Sequence, residues 1–170
     1  MDLALLLLRL VVGLYLFEHG AEKLFGWFGG PGLKKTIGTM GSVGFRPAPF
    51  WAVLGTLSEV GGGLLLALGL FAPLGAVAIA AAMLVAVGIH WRKGPMAVKG
   101  GYELALTNLA AAVAVGFAGT GAYSLDALMG FALPEPIAIG VGLLIAVVGA
   151  IVAFAGRRPV AQLEPAQQTH

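Results

Sequence analysis

The sequence is divided by five apolar runs, at residues 3–24, 50–70, 74–91, 102–118 and 137–155. An α-helix needs about 20 mostly apolar residues to cross the hydrocarbon core of a bilayer, and each run is close to that length. A soluble domain carries about 25% charged residues, whereas this chain of 170 residues is 11% charged and 59% hydrophobic. Too few charges remain to cover a water-facing surface. The sequence therefore predicts an all-α membrane protein.

The segments between the runs determine the predicted domain organisation. A glycine-rich loop follows the first run, and residues 33–43 within it are predicted to form a short helix at the membrane interface. We predict a transmembrane bundle over residues 1–126 and an additional membrane helix with its connection over 127–156. The remaining residues, 157–170, are polar and are predicted to be a disordered tail.

Lysine and arginine are concentrated on one side of the predicted membrane. With five crossings, the loops after the first and third runs share a side with the C-terminus. Nine of the ten cationic side chains lie there: Lys23, Lys34, Lys35, Arg46, Arg92, Lys93, Lys99, Arg157 and Arg158. The positive-inside rule places this side in the cytoplasm and the N-terminus outside. Because Met1 and Asp2 lack the basic start of a cleaved signal, the first run is predicted to stay in place.

The polar residues inside the runs fall mainly in the cytoplasmic half of the predicted bundle. At 1.5 Å rise per residue, Glu59 lies roughly 13 Å from residue 50, and Asn108 roughly 10 Å from residue 101. By the same rise, Glu18 lies roughly 9 Å from the cytoplasmic end of the first run. We predict a polar pocket in that half, with these candidate residues: Glu59, His19, Arg9, Tyr102, Glu103, Asn108 and Glu18.

Glu59 is the candidate that is hardest to explain as a structural residue, because it is the only charge in its run. A carboxylate at that depth must be protonated, paired or wetted by a cavity. Its expected partner is Arg9, His19 or a polar group of the fourth run. Lys23 and Glu22 lie near the headgroups and are interpreted as interfacial anchors, and Arg9 is equally compatible with snorkelling to the outer interface.

Four of the glycines of the second run are interpreted as packing residues. Gly55, Gly61, Gly62 and Gly63 lie in one apolar stretch. Membrane helices use small residues where their backbones approach closely. The sequence therefore predicts that neighbouring helices contact the second run at these glycines.

Composition excludes several kinds of chemistry. The chain has no cysteine, so a disulfide relay, a cysteine-held iron–sulfur cluster and a cysteine nucleophile are impossible within it. No metal site is predicted. The net charge is +2 and its cations are spread over loops, which does not indicate a nucleic-acid partner.

Three segments carry a resemblance to a known family. They are LLLRLVVGLYLFEHGAEKLFGWFGGPG at 6–32, LSEVGGGLLLALGLFAPLGA at 57–76 and GGYELAL at 100–106. With them, the chain resembles the DoxX family of small bacterial membrane proteins over residues 3 to 126. The resemblance implies a four-helix transmembrane bundle, to which this chain adds a predicted fifth C-terminal helix. The matched polar positions are Arg9, His19, Lys23, Glu59, Tyr102 and Glu103.

The resemblance also implies a range of functions. Some members of the family are similar to membrane subunits of oxidoreductases linked to quinones, sulfur compounds or thiols. The first hypothesis is therefore a subunit of a redox complex in the bacterial inner membrane, with a quinone in the pocket and a protein partner that supplies electrons. The alternatives are a small-molecule binder or transporter, and a non-catalytic anchor or assembly protein. Lipid is a partner in each case, and the oligomeric state is left open.

Overall fold

The computed structural model describes residues 1–131 and 135–158, and this part of the chain forms seven α-helices. They are α1 (Asp2–Phe25), α2 (Gly32–Ser42), α3 (Ala48–Leu68), α4 (Ala72–His90), α5 (Glu103–Ala118), α6 (Leu125–Met129) and α7 (Glu135–Ala155). The five predicted runs are confirmed as α1, α3, α4, α5 and α7, with ends within two residues of prediction. The helix predicted over 33–43 is α2. The predicted tail disorder concerns residues that lie mostly outside the described ranges.

Four helices are long and apolar enough to cross a membrane: α1, α3, α4 with the turn that follows it, and α7. The fold is therefore an all-α membrane bundle, as the sequence predicts. The remaining apolar helix, α5, has 16 residues and a length of about 24 Å. This is shorter than the hydrocarbon core of about 30 Å, so α5 is the least typical member of the bundle.

The bundle has two chemically different ends. At one end, which we call the basic end, α1 and α4 finish and α3 begins. His90 Nδ1 lies 2.7 Å from the carbonyl oxygen of Gly100 there, and the Arg158 N–H donates to the carbonyl of Gly44 at 2.9 Å. At the opposite end, which we call the Asp2 end, the Ala122 N–H donates to Asp2 Oδ1 at 3.2 Å.

The chain passes from one end to the other at every long helix. The start of α5 lies at the basic end, close to the end of α4, and the residues that follow α5 contact Asp2. A Cβ added to Gly116, near the end of α5, would lie 3.0 Å from Ala76 in the first turns of α4. Thus α5 runs antiparallel to α4 and reaches the Asp2 end in spite of its length.

Helices α1 and α3 pack backbone against backbone because glycines line their contact. A Cβ added to Gly13 would lie 2.6 Å from the carbonyl oxygen of Gly63, and one added to Gly63 would lie 2.6 Å from that of Gly13. One further contact follows toward the basic end, where a Cβ on Gly20 would lie 2.8 Å from the Val60 nitrogen. Real side chains do not reach such distances, so only glycine permits this approach.

The glycines of α3 have different roles, and the sequence prediction is only half right. Gly63 meets α1, and a Cβ on Gly62 would lie 3.1 Å from atoms of Ala78, Gly75 and Ile79 in α4. The prediction of a helix contact is wrong for Gly55 and Gly61, because a Cβ at either position would meet no atom of the described residues within 4 Å. Gly55 borders a cavity instead.

Helix α4 lies at the centre of the bundle, in contact with α3, α5 and α7. Its buried Ile79 belongs to a core that includes Leu16 of α1, Leu66 of α3, Val115 of α5 and Ile139 of α7. Helix α2 lies across the basic end, where it packs on α1 and α3. The resulting arrangement leaves space among α2, α3, α4 and α7.

Candidate functional site

The central feature of the site is an ion pair between Lys23 and Glu59. Lys23 Nζ lies 2.8 Å from both carboxylate oxygens of Glu59. The Glu59 side chain is only 5% exposed, whereas that of Lys23 is 29% exposed. The sequence interpretation of Lys23 as an interfacial anchor is therefore wrong. The expected partner for Glu59 is also corrected, since neither Arg9, His19 nor α5 provides it.

The close packing of α1 on α3 explains why these two side chains meet. Gly20 brings the last turns of α1 against the backbone of α3 beside Glu59, whose Cβ would lie 2.9 Å from a Cβ on Gly20. Lys23 follows three residues later on the same face of the helix. The Thr36 hydroxyl of α2 donates to the Lys23 carbonyl at 3.1 Å. Glu59 of α3 thus holds the ammonium of Lys23, while Thr36 of α2 holds its backbone.

Beside the ion pair lies a cavity of about 560 Å³ among α1, α2, α3, α4 and α7. Its polar lining includes the side chains of His19, Lys23, Ser58, Glu59, His90 and Lys93. Apart from His90 and Lys93 at the end of α4, the α4 and α7 sides are apolar, with residues such as Val85 and Ala146. The cavity therefore has a polar wall on its α1–α3 side and a mainly apolar wall on its α4 and α7 sides.

His19 lies at the edge of the cavity. Its ring stacks on Tyr15 with centroids 5.9 Å apart, and its Nδ1 lies 3.5 Å from Glu22 Oε2. The His19 side chain is 44% exposed, so it is reachable from outside the bundle as well as from the cavity. Of the predicted site residues, His19 and Glu59 are thus brought together at this cavity.

Tyr102, which directly precedes α5, and the predicted residues of α5 lie elsewhere. Tyr102 stacks on Trp91, with ring centroids 4.9 Å apart, on the outside of the basic end. Glu103 is exposed, and Asn108 donates to the carbonyl of Leu104 in its own helix at 2.9 Å. None of the three lines the cavity.

Two predicted residues of α1 also lie away from the cavity. Glu18 is exposed on the opposite face of the helix from Lys23. Arg9 is completely buried at the Asp2 end, where its Nη2 donates to the carbonyl oxygen of Tyr123. The carboxylate of Asp126 supplies a negative charge nearby. Arg9 therefore belongs to a second polar cluster, separate from the Lys23–Glu59 pair.

Asp126 ties this second cluster to the turn between α3 and α4. Its carboxylate accepts hydrogen bonds from the N–H groups of Phe71, at 2.9 Å, and Ala72, at 3.2 Å. These are unsatisfied donors at the N-terminus of α4, where an acidic side chain is favourable. The Asp126 N–H donates to the Gly69 carbonyl at 3.0 Å. The cluster thus fastens the connection after α5 to the bundle, a role that the sequence analysis did not assign.

The last helix completes the cavity, and an arginine holds it there. Ile145, Ala146, Gly149 and Ala150 of α7 line the cavity. Beyond the helix, Arg157 Nε and Nη2 donate to the carbonyl of Val43, at 2.8 and 2.6 Å.

The guanidinium of Arg157 lies 5.0 Å from the ring centroids of both Phe45 and Phe154. Cation–π attraction at this distance adds to the two hydrogen bonds. We call these contacts of Arg157 with Val43, Phe45 and Phe154 the Arg157 clamp. Because Phe45 lines the cavity, the clamp joins the end of α7 to the opposite wall of the cavity. The sequence analysis gave α7 no part in the pocket, since no charge marks it.

The described residues contain no group of three or more histidine, cysteine, aspartate or glutamate side chains that could hold a metal ion. The cavity lining offers two ammonium groups, one carboxylate, two imidazoles and several hydroxyl groups. These groups donate and accept hydrogen bonds and exchange protons.

Comparisons with known proteins agree with this architecture. The DoxX family model matches residues 4–91, which include α1 to α4. Both members of the ion pair and most of the cavity lie inside the match, whereas α5, α6 and α7 lie outside it. No curated protein and no solved structure matches the chain.

Proposed function

Because this chain belongs to the DoxX family, we propose that it is a membrane subunit of a redox-linked complex and that its cavity binds the head group of a quinone. The observation that supports the proposal is the cavity itself. Its volume of about 560 Å³ lies within the roughly 300–1,000 Å³ of small-molecule sites. Its polar wall and apolar remainder fit a ligand with an oxygen-bearing ring and a hydrocarbon body.

The polar wall offers the hydrogen bonds that a quinone needs. An ammonium has three N–H donors, and Lys23 directs hydrogen bonds to both oxygens of Glu59. A further donor of Lys23 and the imidazole of His19 remain to meet the quinone oxygens, which are acceptors. Lys23 also connects the cavity with the outside, since its side chain is 29% exposed.

Proton supply is the second requirement of quinone chemistry. Reduction to a quinol adds protons to both ring oxygens along with the electrons. Lys23 and Glu59 exchange protons with one another and, through the exposed part of Lys23, with water at the basic end. The chain has no cysteine to form a dithiol or to hold an iron–sulfur cluster. We assign electron delivery to a protein partner.

The orientation in the membrane follows from the cations. Nine of the ten lysine and arginine residues lie at the basic end or in the segments that connect helices there. The exception is Arg9, which lies within α1. By the positive-inside rule the basic end lies in the cytoplasm. The proposed location is therefore a bacterial inner membrane, with the cavity near the cytoplasmic face and the N-terminus outside.

The test uses the tryptophan that lines the cavity. The chain has three tryptophans, and only Trp51 lines the cavity, while Trp27 and Trp91 are exposed elsewhere. A W27F/W91F background therefore reports on Trp51 alone. Titration with a tail-less benzoquinone should quench its fluorescence to a saturating level.

Two glycines of α3 provide a matched pair of variants. Gly55 lines the cavity and Gly61 does not, and both have open space around an added Cβ. Gly55→Leu should fill the cavity and weaken quinone binding about tenfold or more, equivalent to about 1.4 kcal/mol. Gly61→Leu should leave binding unchanged. Unsaturable quenching, or equal affinities in the two variants, would contradict the proposal.

The complex itself is tested separately. Native mass spectrometry of protein purified in mild detergent should show bound quinone together with a redox-active partner subunit. A chain that carries only lipid, with its cavity open and no partner, would favour the anchor or assembly role instead.

A further inference from the structure

The cavity has a side that faces away from the bundle. Two of its lining residues, Leu54 of α3 and Ile145 of α7, are 46% and 65% exposed, and Gly149 of α7 is exposed as well. A residue that both lines a cavity and is exposed on the outside marks an edge of an opening. These edges belong to α3 on one side and α7 on the other.

The depth of this opening places it within the hydrocarbon layer. Leu54 lies six residues from the start of α3 and Gly149 six residues from the end of α7, so each is about 9 Å from the basic end. Ile145 lies about 15 Å from that end by the same rise. Since the hydrocarbon core is about 30 Å thick, the gap between α3 and α7 opens toward lipid tails.

The chemistry of the rim differs from that of the polar wall. Leu54, Ile145 and Gly149 carry no polar side-chain atom, whereas the charged lining residues Lys23 and Glu59 come from the α1–α3 contact. A ligand that spans both regions has its polar head at the ion pair and its apolar part in the gap. The Arg157 clamp fixes the basic end of α7 against Val43, so this opening lies along α7, separate from the exposed lining residues Pro31 and Lys93 at the basic end.

We propose that the gap between α3 and α7 is a lateral opening through which a quinone enters from the bilayer, and that Leu54, Ile145 and Gly149 contact its isoprenoid tail. The proposal rests on the proposed function and extends it, because it makes the long-tailed, membrane-dissolved form the ligand. It also assigns selectivity for the tail to α7, which lies outside the part of the chain matched by the family model.

The test compares a tailed and a tail-less quinone on two variants of α7. Gly149 and Gly140 are both exposed glycines with no atom within 4 Å of an added Cβ, but only Gly149 lines the cavity. Binding is measured by Trp51 fluorescence in lipid nanodiscs. Gly149→Phe should weaken binding of the isoprenoid quinone about tenfold and change that of the tail-less benzoquinone less than about twofold. Gly140→Phe should change neither.

A second variant shortens a side chain at the rim and so removes its contact with the isoprenoid tail. Ile145→Ala should weaken binding of the tailed quinone several-fold and leave the tail-less one unchanged, because it shortens a side chain at the rim. Unchanged affinity for the tailed quinone in both variants would overturn the lateral opening, and so would an equal loss for the two ligands.

The outcome also separates this inference from the proposed function. If the wild-type protein binds the tail-less quinone but the variants show no dependence on the tail, only the lateral opening fails. If the wild-type protein binds neither quinone, the proposed function fails and the opening with it.

Discussion

The ion pair between Lys23 and Glu59 predicts an asymmetric response to mutation. Lys23→Met removes the cation and leaves Glu59, 5% exposed, as a buried carboxylate without its partner. Breaking a buried pair in this way costs about 3–5 kcal/mol. Since the carboxyl group then takes up a proton instead of staying charged, we expect about 3 kcal/mol, the low end of that range.

Glu59→Gln should cost less. It leaves Lys23, whose side chain is 29% exposed, and a long ammonium side chain can turn its head toward water at the basic end. We therefore expect a loss of about 1–2 kcal/mol in the free energy of unfolding, which is below the range for a fully buried charge. The double variant should lose less than the sum of the single variants by at least about 1 kcal/mol, because the two groups interact directly.

The assay is reversible unfolding in mixed micelles with an increasing fraction of denaturing detergent, which gives the free energy of unfolding for each variant. Glu18→Gln is the matched control, since Glu18 lies on α1 but is exposed; it should change stability by less than about 0.5 kcal/mol. If the losses from the single variants add, or if Lys23→Met costs no more than Glu18→Gln, the pair does not stabilise the bundle as described.

Three further predictions concern packing, capping and topology. Gly62→Leu should lower stability by about 1–3 kcal/mol because its Cβ would lie 3.1 Å from Ala78 and Gly75, whereas Gly61→Leu should not; equal melting temperatures would place Gly62 against lipid. Asp126→Asn should lower stability by about 1–2 kcal/mol, since it weakens the cap on α4 and removes the charge near Arg9; thermal unfolding without a shift would refute this. A reporter fused to the C-terminus should be active in the cytoplasm and one fused to the N-terminus should not, and a periplasmic C-terminus would mean an even number of crossings.

The helices could be predicted from the sequence because the bilayer sets their length. A run of apolar residues has to match the hydrocarbon core whatever it packs against, so the ends of α3 and α7 follow from hydropathy alone. The same physics singles out Glu59, since one charge in an otherwise apolar run requires a partner. The helical phase of α1 also places Leu16, Gly20 and Lys23 on one face, and the structure buries Leu16 and Gly20.

The partners could not be predicted, because they depend on which helices meet. Lys23 lies near the end of its run, where a lysine suits an interfacial anchor and an ion pair equally well. Only the contact of Gly20 with α3 decides between them. Tyr102, Glu103 and Asn108 lie at a suitable depth for the pocket, but α5 packs on α4 with those residues turned away from the cavity. Depth can be read from one helix, whereas direction requires its neighbours.

The two fastenings at the ends of the bundle each need a partner that is synthesised long after the first. Arg9 binds the carbonyl of Tyr123, and Val43 binds Arg157, each across 114 residues of chain. The first membrane helix is therefore inserted with a cation whose partner is synthesised much later, and a charge within a bilayer is costly until it is paired. A chain that ends before residue 123 therefore carries an arginine in its first membrane helix without the carbonyl that accepts its hydrogen bond in the folded protein.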